Sequence, residues 1–162
     1  MSNFGLDECI VNNGGKVERA DIGDRNVMEV MKKIGSNFGG EPSGHIICKD
    51  HNTTGDGIIA ALAALSAVID TNQPLSELRK CLNKFPQKLI NLDILSEISI
   101  NELEAKPLIE ETEKSLGDEG QVLIRYSGTE PKIRILVEGK DHAYVESQAS
   151  KIADSIHNQI GV

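Results

Sequence analysis

Gln121–Glu138 reads QVLIRYSGTEPKIRILVE. Two runs rich in apolar and β-branched residues, Gln121–Tyr126 and Lys132–Glu138, flank the turn-forming Ser127-Gly128-Thr129-Glu130-Pro131. That pattern predicts an antiparallel hairpin whose alternate side chains enter a core. Further out, Lys88–Ile94 predicts another strand and Ile109–Leu116 a helix. His142–Ile160 predicts a long terminal helix with Val145, Ala149, Ile152, Ala153, Ile156 and Ile160 on one face. The resulting β-α-β-β-α order predicts an antiparallel sheet with its helices packed on one face.

Upstream the pattern changes. Val17–Ile22 alternates loosely and predicts a strand, and Asn26–Gly35 predicts a helix stopped by Gly35. A turn-rich segment, Ser36–Gly44, leads into a short buried strand, His45–Cys48. Asp50–Gly57 is polar, with Thr53 or Thr54 expected to cap the next helix and Asp56 favourable beside its N-terminal dipole. That helix is apolar nearly all round and is expected to be buried on more than one face. Pro74 opens a short helix ending near Lys84, and the composition change places a domain boundary at 84/85.

The chain has 162 residues and a formal charge of −8, shared evenly between the parts before and after Asp70. Nucleic acid and membrane surfaces are therefore not expected partners, because both attract excess positive charge. Aromatic residues are 3 % and tryptophan is absent, which argues against stacking platforms. Cys9, Cys48 and Cys81 are widely spaced and include no Cys-x-x-Cys pair, so reduced thiols are expected rather than a disulfide framework or zinc site. No signal-peptide pattern opens the sequence, and the apolar run Ile58–Ile69, broken only by Ser66, is too short to span a bilayer. A cytoplasmic location is expected.

Chemistry concentrates in two loops. Around Gly128, two hydroxyls and unhindered backbone N–H groups lie between Arg125 and Arg134, the combination that suits a phosphate. Three cations face one carboxylate across Arg125–Arg134, a basic island in an acidic chain. A plain hairpin turn with solvated arginines is the competing reading of the same spacing. The second loop, Gly39–His45, offers Glu41, Ser43 and His45: an acceptor, a hydroxyl and an imidazole suited to sugar hydroxyls or proton transfer. Taken alone it reads more readily as a surface loop with a capping glutamate and a histidine at the start of a strand. Asp50–Gly57 lacks calcium-loop register, His142 and His157 read as solvent-facing, and Glu110, Glu111 and Glu113 read as a solvated helix face.

Gly40-Glu41-Pro42-Ser43-Gly44-His45 resembles the sugar-recognition loop in the third domain of the α-D-phosphohexomutase superfamily. Arg125-Tyr126-Ser127-Gly128-Thr129-Glu130-Pro131 resembles the phosphate loop of its fourth domain. The two stand in the superfamily's order. Asp50–Gly57 with its Ala/Leu-rich helix, Ile22-Gly23-Asp24-Arg25, and Met1–Leu6 resemble interior stretches of the phosphoglucosamine branch. Pro42 departs from the branch's usual Gln, and Tyr126 stands where Pro is common, a position expected to be tolerant.

The resemblance implies a partial three-layer α/β third domain over residues 1–84. It implies a fourth domain over 85–162, β-α-β-β-α and TATA-binding-protein-like. It also implies that Arg125, Ser127, Gly128, Thr129 and Arg134 hold the phosphate that is not reacting. Glu41, Ser43 and His45 would bind the sugar of a hexosamine phosphate. The superfamily's phosphoserine loop and its Asp-Gly-Asp-x-Asp-Arg magnesium loop are not in this sequence, so no catalytic residue and no metal ligand is assigned to it. The expectation is a C-terminal piece of a phosphohexomutase, its partners being the substrate and the missing N-terminal domains. It would not turn over alone, and exposed apolar helix faces would invite self-association. The alternatives are a piece of a phosphomannomutase or phosphoglucomutase, or a non-catalytic sugar-phosphate-binding module.

Overall fold

Ile133, Ile135 and Val137 alternate along one strand, and all three are buried. They belong to β5 (Lys132–Gly139) at the centre of a three-stranded antiparallel sheet. The computed structural model describes residues 2–162, so the resemblance of Met1 itself lies outside the described residues. The chain divides into two compact units, the first running to Asn83 and the second Lys84–Val162.

In the second unit, β3 (Gln87–Asp93) and β4 (Gly120–Tyr126) flank β5 in the order β3-β5-β4. The helices α5 (Lys106–Leu116) and α6 (His142–Ile160) supply the other side of the core. Ile109 of α5 and the α6 row Val145, Ala149, Ile152, Ala153, Ile156 and Ile160 pack with Ile133, Ile135 and Val137. Asp141 caps α6 by accepting from the Tyr144 N–H at 3.0 Å. Leu89, Leu136 and Leu123 form a row across the opposite face, followed by Asn91, Arg134 and Arg125. This is the expected β-α-β-β-α order. His142, His157, Glu110, Glu111 and Glu113 are exposed, as read.

The first unit contains α1 (Gly5–Asn12), α2 (Asp24–Ile34), β1 (Phe38–Gly40), β2 (Ile46–Cys48), α3 (Gly57–Thr71) and a short α4 (Leu75–Leu78). Gly35 ends α2 in the left-handed conformation, φ 75°, as its stop role requires. β1 and β2 pair as an antiparallel hairpin, so part of the segment read as turn is strand. The α/β layering here is limited to helices beside this two-stranded sheet.

Four expectations are corrected. Val17–Ile22 is not a strand: Arg19 donates to the Ser2 carbonyl, pairs with Asp7 and lies 4.0 Å over the Phe4 ring, holding an irregular connection against α1. The helix from Pro74 stops at Leu78, followed by a 3-10 turn, Arg79–Cys81, and Leu82 is already extended, which ends helical hydrogen bonding before Lys84. Neither Thr53 nor Thr54 caps α3. Asp56 does, accepting from the N–H groups of Ile58 at 2.9 Å and Ile59 at 3.1 Å. Finally, α3 is not buried on any face: Ile58, Leu62, Leu65 and Ile69 are 76, 60, 57 and 76 % exposed, one stripe at i, i+4, i+7 and i+11. Nothing among the described residues covers it.

The Asp56 cap makes α3 acid-sensitive. The Ile59 backbone N–H, aided by those of Ile58 and by Asn52, holds the Asp56 carboxyl below its ordinary value. Its stabilising contribution is therefore complete above the ordinary carboxylate range and is lost as pH falls through the depressed value. Acid titration should show an α3 helicity loss that Asp56→Asn largely removes; identical titration curves would refute the assignment.

Candidate functional site

Arg125 and Arg134 are cross-strand partners at the end of the β4–β5 hairpin. Like charges placed directly opposite destabilise a sheet pair unless something neutralises them. On the other flank of Arg134 is Asn91, which is uncharged. Arg134 Nη2 approaches the Ser127 hydroxyl oxygen at 3.4 Å and the Glu130 carboxylate at 3.9 Å. Arg125 Nε is buried and has no hydrogen-bond partner among the described residues. A buried guanidinium N–H without an acceptor is costly, and an oxyanion placed there would satisfy it.

The turn itself is built to stay open. Ser127 N–H donates to the Lys132 carbonyl at 2.8 Å, closing the hairpin, and Ser127 is buried. Gly128 is exposed, its φ is not positive, and a Cβ there would touch nothing within 4 Å. The fold does not demand glycine at 128; the glycine keeps the crest of the loop bare. Thr129 is exposed beside it. Lys132 is engaged by Glu130 at 3.2 Å and Asp93 at 3.9 Å, and Arg134 shares the Glu130 carboxylate at 3.9 Å, so among the described residues Arg125 is the cation of this turn without a carboxylate partner. Tyr126, expected to be tolerant, instead anchors the loop's base. Its hydroxyl donates to the Ile98 carbonyl at 2.8 Å and accepts from the Ile98 N–H at 3.3 Å, while its ring packs against the core.

In the first unit, the β1–β2 hairpin presents Glu41, Ser43 and His45. Gly44 N–H donates to the Glu41 carbonyl at 3.1 Å, making a turn with Pro42 in second place, where its fixed φ is favourable. Pro42 thus stiffens the loop without breaking it. Glu41 Oε1 accepts from the Gly23 N–H at 2.9 Å, and Oε2 lies 3.9 Å from His45 Nδ1. One carboxylate oxygen is thereby fixed and the other faces the imidazole. Ser43 and His45 are exposed. The structure brings Glu41 and His45 together in this loop, and Arg125, Ser127 and Arg134 together in the other.

Sequence reading missed the Gly23 anchor, the Tyr126 anchor and the opposed arginines. The last was legible: counting outward from Thr129–Glu130 in a tight hairpin places 125 against 134.

Magnesium does not fit these residues. In Asp50–Gly57 the two carboxylates are engaged, Asp50 by the Asn37 amide at 2.6 Å and Asp56 by the α3 backbone. No group of three or more His, Cys, Asp or Glu side chains suited to a metal occurs among the described residues.

Two family models match the chain. Residues 1–85 match the phosphoglucomutase/phosphomannomutase alpha/beta/alpha domain III, and residues 55–155 match the phosphoglucomutase/phosphomannomutase C-terminal domain. Curated relatives include phosphoglucosamine mutases of Anaeromyxobacter sp. (46 % identical over 99 % of this chain and 34 % of the relative) and Syntrophotalea carbinolica (47 %, over 100 % and 36 %). The chain spans about a third of the length of these relatives. Among solved structures, an Aspergillus fumigatus N-acetylphosphoglucosamine mutase variant in complex with glucose 1,6-bisphosphate matches with TM-score 0.68 at 14 % identity. That match covers 99 % of this chain and 38 % of the other. A Burkholderia thailandensis phosphoglucomutase/phosphomannomutase family protein matches with TM-score 0.64 at 18 % identity, over 94 % and 35 %. With both family models accounted for along its length, the chain belongs to the phosphoglucomutase/phosphomannomutase family, of which it carries domain III and C-terminal domain sequence.

Proposed function

We propose that this chain is the substrate-holding C-terminal part of a phosphoglucosamine mutase, which interconverts glucosamine 6-phosphate and glucosamine 1-phosphate in the cytoplasm. The names of the curated relatives support the substrate class. The observation that carries the reading is the opposed Arg125–Arg134 pair with its orphaned Arg125 Nε. In this reading residues 1–84 are third-domain sequence and 85–162 the fourth domain. Arg125, Ser127, the Gly128 and Thr129 backbone and Arg134 grip the non-reacting phosphate. Glu41 and Ser43 accept from and donate to the sugar hydroxyls, and His45 binds beside Glu41. Holding the remote phosphate lets its binding energy orient the reacting end. The phosphoryl acceptor and the magnesium belong to domains outside this sequence, so the chain alone does not turn over.

Calorimetry with glucosamine 6-phosphate tests the reading. Expected is binding that strengthens when the N-terminal domains of a homologous mutase are supplied, accompanied by mutase activity. Mutase activity of the chain alone would overturn the assignment of chemistry elsewhere. Sub-millimolar binding to the chain alone, unaffected by added domains, would instead identify a free-standing sugar-phosphate module.

The bare α3 stripe gives a separate expectation. Light scattering should show the apparent mass of the isolated chain rising across micromolar concentrations, and Leu62→Lys with Leu65→Glu should restore the monomer. A wild-type mass that stays monomeric would remove self-association from its properties.

A further inference from the structure

Outside the two loops, the chain places two thiols together. Gly5 and Cys9 lie one turn apart on α1 and so share a face. Gly5 is buried, and a Cβ there would collide with the Asn83 carbonyl, so this face of α1 lies directly on the segment ending the first unit. Cys81 closes the 3-10 turn Arg79–Cys81, two residues before Asn83. The neighbouring Cys81 side chain, together with burial, holds the Cys9 thiol above its ordinary value. Cys81 is exposed, Cys9 is half-buried, and Cys48 is buried in the β1–β2 hairpin.

We propose that Cys9 and Cys81 are a modification site, forming a reversible disulfide in response to peroxide. The exposed Cys81 thiolate attacks hydrogen peroxide; an S–O bond forms, the O–O bond breaks and hydroxide leaves, taking a proton to become water. Cys9 then gives up its proton and its sulfur attacks Cys81; the S–S bond forms, the S–O bond breaks and a second water leaves. The net change is two thiols and one peroxide to one disulfide and two waters. Dithiol reductants reverse it by exchange. The bond would tether α1 to the far end of its own unit, closing a long loop and so favouring the folded state. This inference is independent of the sugar-phosphate reading.

The test treats the full chain at low micromolar concentration with near-stoichiometric hydrogen peroxide, followed by alkylation and peptide mass mapping. Expected is a mass lower by two hydrogens, a peptide joining Cys9 to Cys81, an upward shift in melting temperature, and full reversal by dithiothreitol. Cys48→Ser should behave as the wild type. Cys9→Ser should halt at a Cys81 sulfenic acid trapped by dimedone. Stable oxygen addition at Cys81 with no cross-link in the wild type, a cross-link through Cys48, or disulfides only between chains would each overturn the proposal.

Discussion

If the proposed function holds, Arg125→Met is expected to weaken hexosamine phosphate binding about tenfold to a hundredfold, the loss of a charge-assisted hydrogen bond to an anion. The same substitution is expected to raise the melting temperature of the second unit. It removes a guanidinium opposed directly by Arg134 and abolishes a buried Nε–H that has no acceptor. For a domain of this size about 1 kcal/mol corresponds to roughly 4–8 °C, so the gain is measurable by thermal scanning. Affinity lost while stability is gained is the signature of a residue kept for its ligand. Binding retained in Arg125→Met, or a variant less stable than wild type, would show that the pair serves the fold. Arg134→Met should weaken binding similarly, with a smaller stability gain because Arg134 already reaches Ser127 and Glu130.

Ile135→Ala has the second large effect. Ile135 is fully buried at the middle of the central strand, between Ile90 and Ile124 and beneath the α6 row. Truncating a buried Ile to Ala costs about 2–5 kcal/mol, transfer and cavity together. That is a large share of the ~5–15 kcal/mol that holds an ordinary domain. Urea unfolding should show the second unit's transition move to much lower denaturant, with the first unit's signals unchanged. A shift worth less than about 1 kcal/mol would mean that the sheet and α6 are not packed as described.

The second unit was legible in the sequence because its elements agree at every level. Alternation in 132–138 and the six-residue α6 row each specify one face, and the faces meet. The first unit was less so. Its strand pair is three residues long on each side, too short for periodicity to register, and β1 contains Gly39 and Gly40, which read as turn. Val17–Ile22 alternates, yet Arg19 found Asp7 and Phe4 before any strand found it. The α3 sequence reads as a buried helix because it is apolar nearly all round, yet its stripe is exposed and nothing among the described residues covers it. In the candidate site, residue types located both loops. Three-dimensional pairing was needed to expose the Glu41–Gly23 and Tyr126–Ile98 anchors, which join residues 18 and 28 positions apart.

The strand order β3-β5-β4 has a dynamic corollary. The turn that carries Ser127 hangs between the sheet's innermost strand and one of its rims. Arg134 rides on the strand clasped from both sides, whereas Arg125 rides on one clasped from a single side. Amide exchange should therefore be slowest around Arg134 and faster around Arg125, because rim strands open at lower free energy. In the proposed function, a phosphate gripped here would meet one stationary jaw and one that can yield. Release would begin at Arg125, with Arg134 keeping the register to which the next phosphate returns.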